Sequence, residues 1–358
     1  MQVVIIGAGL TGLTTAWYLQ QQGIKPIILE ARNRAGGRIH TVYTQGQASV
    51  EMGATWFADK HQHLVGLLQS LGLEYFEQQY SNLAIYDPGM GQPAQLFQVP
   101  TAEEASYRIT GGTATLIECL LQALGPEHVH YNQAVKRLEL HNSGVRVTAG
   151  NTVFEADVVL STLPPNLLVN TVQFTPALPG NVVDVAQATH TWMGESIKAG
   201  LLYQQAFWQQ ANSSGTIFSQ NGPVVEMYDH STATNTHHAL KGFVHEQYHA
   251  AGKAERERLM VQQLGRFYGQ QATAHAGYIE TDWRTEPYTY HTYVQGVVPH
   301  QNNGHQAMRQ PLFNGRLLMG GSETATEFPG YMEGAVASAQ HMAAQVSLLI
   351  QATDRTKF

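Results

Sequence analysis

A strand, a glycine turn and a helix open the chain, and no other feature narrows the fold as far. Val3-Val4-Ile5-Ile6 is an unbroken apolar run, as a strand covered on both faces requires. Gly7-Ala8-Gly9-Leu10-Thr11-Gly12 follows in the pattern G-x-G-x-x-G, residues 10–22 read as a helix, and residues 26–29 read as a second strand ending at Glu30. In such a βαβ unit the first glycine permits the tight turn. The second lets a pyrophosphate approach the backbone, and the third allows close helix–strand packing. The helix N-terminus offers unpaired N–H groups and a positive dipole end to phosphates. Glu30 lies eighteen residues after Gly12, where a carboxylate can accept ribose hydroxyls. A glycine turn alone is a weak sign; the four features together predict a dinucleotide site.

NAD and FAD both use this device, so the choice between them rests on residues further along the chain. Arg38 comes eight residues after Glu30 and is preceded by Gly36-Gly37. A glycine pair before an arginine lets the backbone close over a diphosphate while the guanidinium pairs with it. Glu51-Met52-Gly53-Ala54-Thr55-Trp56 supplies a further approach of small residues to the ligand.

Composition removes several function classes. The formal charge is -7 and the pI near 6.2, with no cluster of Lys and Arg, which argues against a nucleic-acid partner. Cys119 is the one cysteine, so no intrachain disulfide or Cys-rich metal site is expected. It sits among Leu116, Ile117, Leu120, Leu121 and Leu124 on a helix read over 113–124, where a buried, inert thiol is expected. No basic leader and no run of eighteen apolar residues is present, so we expect a cytoplasmic chain with no membrane span.

Further helices are expected over 61–71, 253–268 and from about Gly330. Strands are expected over 135–140, 144–148 and 152–154 as a small meander, and over 158–160 and 316–319 as buried core. His245-Glu246-Gln247-Tyr248-His249 fits H-E-x-x-H, but the flanking residues read as strand end and loop, so a chance match is expected and no metal.

Several separated motifs now converge. Glu30-Ala31-Arg32, Gly36-Gly37-Arg38, Gly53-Ala54-Thr55-Trp56, the segment from Val135, Ser161-Thr162-Leu163-Pro164-Pro165, Gly320-Gly321-Ser322-Glu323-Thr324-Ala325-Thr326 and Gly330-Tyr331-Met332-Glu333-Gly334-Ala335 occur in that order. Together they resemble the flavin-containing amine oxidase family, along most of the chain. The resemblance implies an α/β fold: a Rossmann-type FAD-binding domain with a parallel sheet and a small β-meander, and a smaller interleaved α+β substrate domain. We expect the first over 1–79, 107–190 and 286–358, and the second over 80–106 and 191–285. It implies FAD held by Gly7, Ala8, Gly9, Leu10, Thr11, Gly12, Glu30, Ala31, Arg32, Gly37, Arg38, Gly53, Ala54, Thr55, Trp56, Val135, Trp283, Glu323, Tyr331 and Met332.

The resemblance also assigns the chemistry. Lys198 matches a lysine that reaches flavin N5 through a water and assists reoxidation by O2. Tyr293 and Tyr331 match a pair of rings whose parallel faces guide the amine. Glu323 is expected on ribityl or backbone groups, and the start of the last helix at the N1–C2=O end of the ring. The implied reaction is hydride transfer from the α-carbon of a neutral amine to N5, giving an imine, with O2 reduced to hydrogen peroxide. Thr292 stands where some members carry a flavin-linked cysteine, so FAD is expected to be non-covalent. Only residues 80–106 replace a long helical excursion of the family, which leaves the substrate site either more open or covered by an oligomer partner. Alternatives are a related oxidase or desaturase acting on a non-amine, and a non-catalytic flavin-fold binding module.

Overall fold

The computed structural model describes residues 1–78, 83–99, 104–210 and 212–355, with side chains to 352. Of the segment expected to start the substrate domain, residues 80–82 and 100–103 lie outside the described residues.

Five parallel strands form the first layer, in the order Leu317–Met319, Val158–Ser161, Val3–Ile6, Ile27–Leu29, Val129–His130. Val3–Ile6 is central and buried at all four positions, which is why its sequence shows no polar alternation. Each such side chain contributes about 1.5–3 kcal/mol relative to exposure. On one face the helix Leu10–Gln21 packs against the helix Ala114–Leu124 and the final helix Met332–Arg355. On the other lies the antiparallel meander Val135–His141, Gly144–Ala149, Thr152–Ala156, with Gln173–Thr175 added in parallel to its first strand. Pro165, read as a strand stop, is also the first residue of the helix Pro165–Thr171, a position where its missing N–H costs nothing. Cys119 is half-buried rather than buried, because it sits at the rim of the Leu116, Ile117, Leu120 stripe that the sheet covers.

A second, seven-stranded sheet runs Gly277–Asp282, Ile197–Tyr203, His238–Val244, Val224–Asp229, Ile217–Ser219, Leu83–Asp87, Gln95–Gln98. It joins residues from both sides of the first domain's sequence, so the two are interleaved along the chain. Its strand Ile197–Tyr203 is buried at every position. Ile197, Ala199, Leu201 and Tyr203 share the core under the helix Lys253–Tyr268. The alternate residues face the other way, where Leu202 meets Val50 and Met52. Gly200 on that face admits no side chain, since a Cβ there would stand 2.6 Å from Val50 Cγ1. The two sheets thus meet along the face that carries Lys198. Among the described residues no helix is long and apolar enough to cross a membrane.

Candidate active site

The backbone of the first glycine turn demands glycine at its first and third positions. Gly7 has φ +101°, and a Cβ on Gly12 would lie 2.0 Å from the Gly7 carbonyl oxygen. The second turn packs on the first: Gly36 N–H donates to the Ala8 carbonyl at 2.8 Å, and a Cβ on Gly37 would lie 3.3 Å from Gly9 Cα. A Cβ on Gly9, by contrast, would meet nothing within 4 Å, because Gly9 borders a cavity of about 800 Å³. Leu10, Thr11, Gly37, Gly53 and Ala54 line the same cavity, whereas Ala8 and Gly12 lie behind its wall and shape the turn. Glu30 closes this end. Its carboxylate accepts the Ala8 N–H at 2.8 Å and the Arg32 N–H at 2.9 Å, and it shares the wall with Ala31, Arg32, Gln133 and Val135. Gln133 Oε1 is buried there with no partner among the described residues. An open glycine cradle, a strand-end carboxylate and an unpaired buried acceptor fit a dinucleotide whose ribose and base bring donors.

Arg38 and Glu323 depart from expectation. Arg38 forms a two-pronged pair with the Glu323 carboxylate at 2.5 and 2.8 Å, and also donates to Ser322 Oγ at 3.0 Å and the Trp192 carbonyl at 3.3 Å. Burial pushes the Glu323 carboxyl up, but the Arg38 guanidinium more than offsets this and holds it below the usual carboxylate range. Glu323 is fully buried and off the cavity wall, where it grips Arg38, which itself remains on the wall. A fully buried carboxylate needs a paired cation, and that requirement decides the arrangement.

Lys198 reaches the cavity from the face of its strand opposite the core under Lys253–Tyr268. Its Nζ donates to the Gly53 carbonyl at 2.7 Å, beneath the wall residues Thr55 and Trp56. Burial pushes it down to about 8, with Glu51 opposing and Arg38 adding to the shift. Trp283, which also lines the cavity, donates its Nε1–H to the Met52 carbonyl at 2.7 Å and holds the same loop. Two residues here were not foreseen. Lys241 is fully buried on the strand facing Lys198, and its only sequence signal is a single charge inside Ala239-Leu240-Lys241-Gly242-Phe243-Val244. Glu226 stands on the cavity wall and accepts the Tyr228 hydroxyl at 3.0 Å; an acid in a half-polar strand carries no such signal.

The two rings expected at the flavin have different surroundings. Tyr331 lines the cavity at 40% exposure, its ring 5.9 Å from that of His300 and 10° from parallel. Tyr293 does not line it. Its hydroxyl accepts the Thr191 N–H at 2.8 Å and its ring stacks on His190, so this contact turns it away from the wall. Trp192, 5.9 Å from Tyr331, is the second aromatic wall instead. Gly330, at φ +87°, lies so close to Trp192 that a Cβ would stand 2.8 Å from that residue's own Cβ; the approach brings Tyr331, Met332 and the positive end of the final helix to the cavity. The H-E-x-x-H segment forms a short 3-10 turn, Glu246–Tyr248, and His249 lies between Asp282 and the Glu195 carbonyl at 3.1 and 3.0 Å.

Comparison with known proteins gives the family and the fold. The model of one family, described as flavin containing amine oxidoreductase, matches residues 10–96 and 76–347. Amine oxidase [flavin-containing] A of Sus scrofa is 23% identical over 452 residues, covering 97% of this chain and 85% of that protein. A putative flavin-containing monoamine oxidase, AofH, of Mycobacterium tuberculosis is 31% identical over 247 residues, 68% of this chain and 53% of that protein. Among solved structures, cyclohexylamine oxidase from Brevibacterium oxydans superposes with a TM-score of 0.86 at 22% identity, covering 98% of this chain and 99% of the other. Putrescine oxidase bound to putrescine superposes with a TM-score of 0.84 at 23% identity, covering 97% and 99%.

Proposed function

The chain belongs to the flavin-containing amine oxidoreductase family, and from that premise we propose that it is a FAD-dependent amine oxidase using O2. The observation that carries the reading is one continuous cavity, walled at one end by the glycine turns and Glu30 and at the other by Lys198, Tyr331 and Glu226. FAD bound between these residues would supply the acceptor for a hydride from the carbon beside the amine nitrogen, giving an imine, and would return the two electrons to O2 as hydrogen peroxide.

The protein's part is binding, orientation and charge. Gly9 and the first turn of the helix after it cradle the diphosphate, and Arg38, held by Glu323, adds a fixed positive charge. The final helix presents its N-terminus to the ring end of the cavity and favours negative charge there. Cys119 lies on the helix Ala114–Leu124 and Thr292 carries no thiol, which supports non-covalent binding. Lys198 supplies an ammonium at the reacting end. Tyr331 and Trp192 give the amine apolar walls, and no general base is required for an amine that enters neutral.

Glu226 narrows the substrate. A wall carboxylate on the Lys198 side attracts a second cationic group, so the reading favours diamines over simple monoamines. Both wall arginines are already paired, Arg32 with Glu286 and Arg38 with Glu323, while Arg108 donates to the Ser231 carbonyl. That placement offers an amino acid's carboxylate no partner, and so speaks against an amino acid oxidase. A porphyrinogen or polyene would have no use for Lys198 or Glu226. Anaerobic bleaching of the bound flavin over an amine panel tests the reading: diamines should bleach it fastest, air should restore it with release of peroxide, and bleaching by no amine would refute it.

A further inference from the structure

We propose that Lys241 is a positioning partner of Lys198, and that the two hold a single ammonium charge which passes to Lys241 when Lys198 is removed. The proposal deepens the oxidase reading and rests on it only for the importance of that charge.

The geometry is a closed circuit on one sheet face. Lys198 pairs in register with Phe243, so Lys241, two residues along, points to the same side. The two Nζ atoms flank the Phe243 ring, 5.4 and 5.9 Å from its centroid. Both reach one short stretch of backbone. Lys198 donates to the Gly53 carbonyl, Lys241 contacts the Thr55 hydroxyl, and that hydroxyl is 3.2 Å from the same Gly53 carbonyl. Lys241 Nζ also sits 4.4 Å from the centre of the Trp56 ring, which walls the cavity. One lysine therefore fixes the loop that receives the other.

Charge balance allows one ammonium here. Lys241 is wholly buried and Lys198 is 6% exposed, so water screens neither. The groups facing them are Glu51 from the strand Val50–Glu51, Arg38 from the loop after the second glycine turn, Arg108 from the strand Tyr107–Ile109, and His230 just after the strand Val224–Asp229. Two acids share this face: Glu226, which pairs in register with Phe243 and stands half-buried on the cavity wall, and the buried Glu51. Glu51 accepts from Thr41 Oγ1 at 2.9 Å and from the Thr113 N–H at 2.6 Å; it is the one enclosed acid, and even fully ionised it offsets one cation only. Arg38 and Arg108 add positive charge. Burial, and then the Lys198 cation, push Lys241 well below the usual lysine range, leaving Lys198 as the charged member.

The test is a pH titration by NMR of the flavin-loaded protein labelled with 13C at the lysine ε-carbons, from about pH 6 to about pH 10. Loss of a signal in Lys241→Met assigns that residue. In the native protein Lys241 should stay neutral throughout while Lys198 titrates. In Lys198→Met, with Lys198→Gln as a second variant if the first folds poorly, the Lys241 titration should move up by about one unit or more. A Lys241 signal that is already ammonium near neutral pH, or that stays put when Lys198 is removed, overturns the proposal. Neither outcome depends on amine turnover, so this test and the oxidase reading fail separately.

Discussion

The two ends of the cavity are built by different means. At the glycine end the backbone does the work: Gly7, Gly9, Gly12, Gly36 and Gly37 fix the turn through contacts between main-chain atoms. At the lysine end side chains meet across strands far apart in sequence, with Lys198, Glu226 and Lys241 projecting from three different strands. A backbone device tolerates almost no substitution but says little about the ligand beyond its diphosphate. A side-chain device can be retuned residue by residue, and it is where substrate preference and charge reside. The difference yields predictions of falling size.

Gly12→Val should break the first end outright. The added Cβ would stand 2.0 Å from the Gly7 carbonyl oxygen, main chain that cannot give way without opening the turn. Flavin content after purification should fall to near zero, while circular dichroism separates lost cofactor from lost fold. Glu323→Gln comes next. It leaves Arg38 without its carboxylate in a buried setting, an arrangement worth about 3–5 kcal/mol, and should appear as a large drop in the denaturant midpoint.

Effects at the lysine end should be kinetic. Lys198→Met should keep its flavin and slow reoxidation by O2 about 100-fold. In the native protein the pH dependence has a definite sign. Lys198 is cationic below about 8 and neutral above, so stopped-flow reoxidation should slow as pH rises through that value. Glu226→Gln is the mildest change: about a tenfold rise in KM for diamines with little change for monoamines, the worth of one charge-assisted contact. Equal effects on both substrate types would place Glu226 outside substrate recognition.

The same contrast explains what the sequence could disclose. The glycine spacing, the buried strand before it and Glu30 are local signals, because their requirement is written in φ angles and close main-chain contacts. Four of the five parallel strands and the meander were legible for the same reason, the edge strand Val129–His130 being too short to show: an unbroken apolar run and regular alternation are themselves consequences of burial on two faces or one. Lys241 and Glu226 were not legible. Each depends on strand register, which brings Lys241 beside Lys198 only because Phe243 pairs with Lys198. Tyr293 shows the converse failure. Its motif position implied a ring at the cavity, but nothing in the motif indicated the hydrogen bond from Thr191 or the stacking on His190 that hold it. Glu323 likewise took a role set by its buried partner, which no spacing rule contains.

Identification of the small molecule that the native protein carries tests the central claim most directly. Acid precipitation of the purified chain should release FAD into the supernatant, one per chain, leaving a colourless pellet. A protein that neither carries nor takes up FAD would contradict the account at its root, and a flavin retained in the pellet would contradict non-covalent binding.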